Sequence, residues 1–482
     1  MRESARARVA AVTASALVLL AGLVVTTGSR AQRVAAGEPL TVVLGEPSGL
    51  TSMARLDGRR TNRSRDLLPT ASLRMIWSRQ TRPMTHAPLV AADGTVIVLS
   101  TDGELEFINP DGTTQGHAQM GPGPMSDPVL LPDGVLVAAN SAGDVVGVRP
   151  YGLQAQVAFR SHVVEPGSSA GIEEVAANVA FQLRGQRRGR TVRHRPPAIE
   201  NGMRISALPL DDGGLALAWG RELLCLDAEG VVRTRATSSV APASALLAVD
   251  RGGSPSAAFV TETGEVYEWA LAGGADPVRA RGSFGGGVEG NVLVEDERHL
   301  LGIVRGTRLV SLDLVTGVAE TRATAGIGGL FTDAFALAAP PPRSSGAVLV
   351  QEIALSGTHV VSIDREGHAT PFAVLLSSQG MLSLPDAGAG SLPPTGTMLF
   401  VDPAGNVAYG AVDGHVGVAS MTTKHELGSL PCGAPGAGMT GTAFGQGARV
   451  AMPFAGMVPA GPGAFVVACE TGIVSLVRGV VE

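Results

Sequence analysis

Apolar residues along this chain come in short runs separated by Asp-Gly and Gly-rich turns, and no long stretch repeats at helical spacing. The first clear unit reads Pro88-Leu-Val-Ala-Ala-Asp93-Gly94-Thr-Val-Ile-Val-Leu-Ser-Thr-Asp102-Gly103-Glu-Leu-Glu-Phe-Ile-Asn-Pro110-Asp-Gly112. Asp-Gly suits tight hairpins because the turn needs positive φ, which Gly adopts freely and Asp tolerates. The pattern therefore predicts four antiparallel strands over 88–92, 95–100, 104–109 and 113–119. Forty residues on, Pro128, Asp133-Gly134, Gly143, Pro150 and Gly152 repeat the same markers in register. A four-stranded sheet at that period is one blade of a β-propeller.

The third-strand element, a turn Gly followed by an apolar stretch and a second turn, recurs at Gly103, Gly143, Gly220, Gly264, Gly306, Gly357, Gly414 and Gly472. The expected fold is thus all-β, a single propeller of four-stranded antiparallel blades over residues 73–482, with about eight blades and seven as the alternative. The wide gap between Gly143 and Gly220 leaves room for an insertion near 160–205 or a degraded extra blade. Beyond Gly472 the chain is long enough for a third strand but not a fourth. Residues 73–79, which include Met75, Ile76 and Trp77, are expected to supply the missing outer strand, since a closed ring leaves no open edge. Residues 32–72 lack the repeat and read as a linker or a strand-poor cover over the ring.

These units resemble the PQQ-like repeats of β-propeller proteins, a family that includes quinoprotein dehydrogenases and the lipoprotein scaffold of the outer-membrane β-barrel assembly machine. The likeness is carried by Ile76-Trp77, by Pro88 to Val98 and by Asp102 to Gly112, and it extends from about Ile76 to Arg478. Enzymes of the family resemble one another in a Trp in most blades and a pair of adjacent Cys beside the quinone. This chain has three Trp (Trp77, Trp219, Trp269) and no adjacent Cys. The resemblance therefore implies the scaffold without its cofactor, and no cofactor is expected.

At the N-terminus, Arg2, Arg6 and Arg8 precede an apolar run from Val9 to Val25 and a small-x-small site at Ser29-Arg30-Ala31. This predicts an export signal over 1–31, or an uncleaved membrane anchor if it is retained, and hence a periplasmic or extracellular protein. Removing residues 1–31, which carry four Arg and one Glu, changes the formal charge from −6 to −9. That argues against nucleic acid as a partner, because binding phosphates needs a basic surface. Of three cysteines, Cys225 sits in an apolar strand pattern, and Cys432 with Cys469 is the expected disulfide.

Catalytic chemistry leaves no motif. The nine His (His86, His117, His162, His194, His299, His359, His368, His415 and His425) fall in different blades and read as isolated surface or turn residues, so no metal site is expected. There is no Gly-x-Ser-x-Gly elbow and no phosphate-cradling Gly-x-x-x-x-Gly-Lys loop. One segment is distinctive: Arg184, Arg187, Arg188, Arg190, Arg193 and Arg195 lie close together within an acidic protein, a candidate contact for an anionic partner and otherwise a solvated loop. The sequence-level expectation is a monomeric, non-catalytic exported propeller that binds a protein or glycan through its loop faces. The alternative is an enzyme acting on a carbohydrate or small alcohol at the channel.

Overall fold

The computed structural model describes residues 53, 56–57, 59–84, 86–121, 126–140, 143–149, 155–163, 205–251, 254–326, 328–337, 347–354, 357–374, 398–410, 415–419, 424–429 and 454–480. Among them are eight four-stranded antiparallel sheets and no helix, arranged as a β-propeller. Blade I consists of Leu89–Val90, Val96–Leu99, Glu104–Ile108 and Thr114–Gln119, close to the strands expected from its turns. Blades II to VII follow in order over residues 129–162, 205–237, 247–283, 288–324, 330–374 and 398–429. In each, the chain enters on the innermost strand and leaves on the outermost.

Blade VIII mixes the two ends of the chain. Its inner three strands are Phe454–Pro459, Ala464–Cys469 and Ile473–Val480, and its outer strand is Ser72–Gln80. The pairing is antiparallel with Ser78 opposite Ser475, and the Ser475 hydroxyl donates to that of Ser78 at 2.9 Å. The register shifts between Met75 and Trp77, leaving Ile76 unpaired in a bulge and 46% exposed. Trp77 points instead toward blade I, where its indole Nε1 donates to Pro110 O at 2.9 Å.

The core lies between blades. Leu89, Ile97 and Phe107 of blade I pack with Leu136 and Val146 of blade II. Blades II, III and IV share a cluster that includes Val137, Leu217, Leu224, Phe259 and Trp269. Clusters of the same kind join IV to V, V to VI, and VII through VIII to I. Blades I to V and VIII thus bury both faces of their sheets, which is why second and third strands read as near-continuous apolar runs such as Leu215–Trp219 (LALAW). Burying one such side chain contributes about 1.5–3 kcal/mol. Blades II and III share one core and are neighbours in the ring.

Turn glycines between third and fourth strands form a second joint. At Gly112 φ is +86°, and a Cβ there would lie 2.8 Å from Trp77 Cγ, so the outer strand of blade VIII covers this turn of blade I. Likewise Phe159, on the outer strand of blade II, lies over Gly230 of blade III, and the Ser161 hydroxyl donates to Gly230 O at 2.5 Å.

Candidate functional site

The most built feature outside the blades is the stretch that precedes the closing strand. Residues 59–69 run past the ends of innermost strands, on the side where first strands turn into second strands. Val294, the last residue of the innermost strand of blade V (Val288–Val294), donates its amide to Arg59 O at 2.9 Å. The Val401 amide, at the end of the innermost strand of blade VII (Met398–Val401), donates to Asn62 O at 2.9 Å, and Ser64 N donates to Val401 O at 2.7 Å. A parallel bridge pairs Arg63 with Val401. Farther on, Leu68 N donates to the Asp402 carboxylate at 2.8 Å, and Gly463 N of blade VIII to Leu67 O at 2.9 Å. These residues form a strap from blade V to blade VIII over one mouth of the ring.

Side chains fix the strap as firmly as its backbone does. Arg60 is 3% exposed; its Nε donates to Asn291 Oδ1 at 3.1 Å, and Asn291 Nδ2 donates back to Arg60 O at 3.1 Å. Asn291 lies where the register of blade V shifts between Glu289 and Val292, a bulge that re-aims a side chain. Met53 and Leu56 are buried in the clusters of blades II–IV and VII–I respectively. Asp57 closes a turn, taking a hydrogen bond from Thr61 N at 3.0 Å and another from the Thr61 hydroxyl. Its carboxyl keeps some surface contact with solvent but lies deep among protein atoms. Burial holds it above the usual carboxylate range, and the Thr61 hydrogen bonds and the Arg59 charge do not cancel that effect.

A second cluster joins blades V and VI. Glu295, whose side chain is 1% exposed, receives both Arg322 terminal nitrogens, at 2.9 and 2.7 Å. Arg365 of blade VI approaches Glu295 Oε1 at 3.3 Å and donates to Asp296 at 2.8 Å. His299 Nδ1 lies 2.9 Å from Asp296 Oδ1. Burial pushes the Asp296 carboxyl up, but hydrogen bonds from Arg298 and His299 outweigh it and leave it below the usual range. Glu295, Asp296 and His299 could converge on a cation, as could Asp364, Glu366 and His368 on an exposed turn. The first set already holds two guanidinium groups, which makes it an ion-paired clasp between blades. The sequence signals for both, Asp296-x-x-His299 and Asp364-x-Glu366-x-His368, lie within the repeat and pass as ordinary turns.

Several sequence-derived candidates can now be located. Cys225 is a free, buried thiol on the third strand of blade III (Glu222–Leu226), and burial pushes it up to about 11. Cys469 is buried at the end of the second strand of blade VIII and is disulfide-bonded. Cys432 lies outside the described residues, as do Arg184, Arg187, Arg188, Arg190, Arg193 and Arg195 and the apolar run of residues 9–25. The described ends of the Arg-bearing segment are the outer strand of blade II (Gln156–His162) and the innermost strand of blade III (Ile205–Pro209). His86 is not a surface residue: it is 3% exposed and its Nδ1 lies 2.8 Å from the half-buried Asp127, a pairing that the lone His in the sequence does not signal.

No protein-family model matches the chain, and no curated protein matches it. Solved structures do resemble it in fold. The computationally designed Ika8 protein superposes with a TM-score of 0.51 at 13% identity, covering 86% of this chain and all of its own. Sqt1 of Saccharomyces cerevisiae gives 0.51 at 10% identity, with 86% and 100% covered. BamB of Moraxella catarrhalis gives 0.45 at 11% identity, with 84% and 99% covered. At such identities the likeness is one of fold.

Proposed function

We propose that this chain is an exported, non-catalytic propeller of PQQ-like repeats that holds a protein or glycan partner on one loop-bearing face. One observation carries the reading. Among the described residues, the three longest gaps between successive strands, 163–204, 375–397 and 430–453, all separate the outermost strand of one blade from the innermost strand of the next. Strands alternate in direction, so the ends of all three open on the face opposite the strap. Connections of this length on one side of a rigid ring are where binding residues concentrate.

Two further features support it. The innermost strands that border the channel are largely apolar, as in Val129–Leu130, Ile205–Pro209, Met398–Val401 and Phe454–Pro459. The Arg-bearing segment belongs to the longest of the three connections and opposes the acidic charge of the rest. An exposed ion pair contributes only about 0.2–1 kcal/mol, so one substitution does little and several together do more. Replacing Arg187, Arg188, Arg190 and Arg193 with Ser leaves the melting temperature within about 1 °C and weakens capture of an anionic envelope partner, more at low salt than at high salt. Quantitative affinity purification with both proteins checks this. Equal recovery of every partner at low ionic strength contradicts a role for the segment.

A further inference from the structure

We propose that the strap-side mouth of the ring is a recognition site for an arginine-bearing peptide, and that residues 59–64 are its built-in occupant, displaceable by such a segment of a partner protein. The innermost strand of each blade has a free backbone edge toward the channel, an open template for another extended chain. Blades V and VII use theirs to bind the strap: Val294 N to Arg59 O, Val401 N to Asn62 O, and Ser64 N to Val401 O. Main-chain bonds of this kind fit any extended chain. Specificity comes from one side chain, Arg60, which is enclosed to 3% exposure and read from both its Nε and its carbonyl by Asn291. The strand is bulged there, so the ring is shaped around that arginine.

The resident segment fits this site at a cost. Leu56, Arg60 and Asn62 adopt left-handed backbone, with φ of +74°, +58° and +53°, a region that disfavours side chains and that Asn alone of the three tolerates well. The Arg59 Nε is buried with no hydrogen-bond partner, and the Asp57 carboxyl is enclosed beside it. A peptide that keeps the arginine and carries glycine at positions 56 and 62 forms the same main-chain bonds with less of that strain. The mouth is therefore filled by a ligand that a better one can replace, and the site is distinct from the loop face proposed for the main partner.

The test uses the full-length protein and a fluorescent peptide of residues 53–70 with Leu56→Gly and Asn62→Gly, followed by anisotropy. The Arg60→Ala protein, whose own strap is loosened, binds this peptide at least tenfold more tightly than the unaltered protein. A peptide that also carries Arg60→Ala binds at least tenfold more weakly. Equal binding by both proteins, or no binding by either, overturns the proposal. Hydrogen exchange on the unaltered chain decides independently of whether the variant folds. The Ser64 and Val401 amides exchange together and at least a hundredfold faster than the Leu224 amide in the core. Exchange at the rate of Leu224 makes the strap an integral part of the ring and overturns the proposal.

Discussion

Two buried acidic residues show how the same charge acts oppositely in different surroundings. Asp57 forms no ion pair among the described residues and binds a proton more tightly in the folded protein than in the unfolded chain, because burial outweighs the Thr61 hydrogen bonds and the Arg59 charge. Its contribution to stability is therefore greatest below the ordinary Asp value and is lost as pH rises through its raised value, so near neutrality the ionised group is a burden. Asn in its place still accepts the Thr61 amide. Asp57→Asn raises the melting temperature by a few degrees at pH 7, and thermal scans show the gain shrinking toward pH 4. A gain that is independent of pH contradicts this account. Glu295, by contrast, neutralises buried Arg322 through two hydrogen bonds. Glu295→Ala leaves that guanidinium enclosed without its counter-charge and costs about 3–5 kcal/mol by denaturant unfolding, whereas Glu295→Gln costs clearly less. Equal losses point to packing in place of charge. Neither role is legible in the sequence, where Asp57 lies in a polar Arg-rich stretch and Glu295 precedes an ordinary turn.

At the scale of single elements, what the sequence shows depends on how local its cause is. Asp93-Gly94 and Asp102-Gly103 fix their hairpins through their own backbone, so blade I is readable to within a residue or two. Trp77 reads as one member of an apolar strand, but its partners, Pro110 and Gly112, belong to another blade. Alternation along the strand turns Met75 and Trp77 inward and leaves Ile76 outside, and the bulge also drops Ile76 from the pairing with the neighbouring strand. Trp77→Ala consequently costs about 1–3 kcal/mol of stability, while Ile76→Ala stays within about 0.5 kcal/mol. Chemical denaturation of the two neighbours separates them, and similar losses for both contradict the bulged register.

Across the whole molecule, the repeat made the ring visible because each blade restates one pattern of turns and apolar runs. The strap had no such advertisement. Its backbone bonds to Val294 and Val401 depend on no particular side chain, and the Asn291 that holds Arg60 is a single polar residue more than two hundred positions away. Both features follow from one closing event, in which the chain crosses the mouth and then adds the outer strand of blade VIII. That closure is the central claim. Ser78 and Ser475 face each other across it from positions 397 apart in sequence, close enough for a disulfide to replace the hydroxyl contact. The measurement is non-reducing electrophoresis and thermal unfolding of the Ser78→Cys, Ser475→Cys double variant. Closure predicts that the native protein oxidises to a faster-migrating looped chain with a higher melting temperature, both reversed by reductant. Two thiols that stay free to label in the folded protein would contradict a ring closed by its own N-terminal strand.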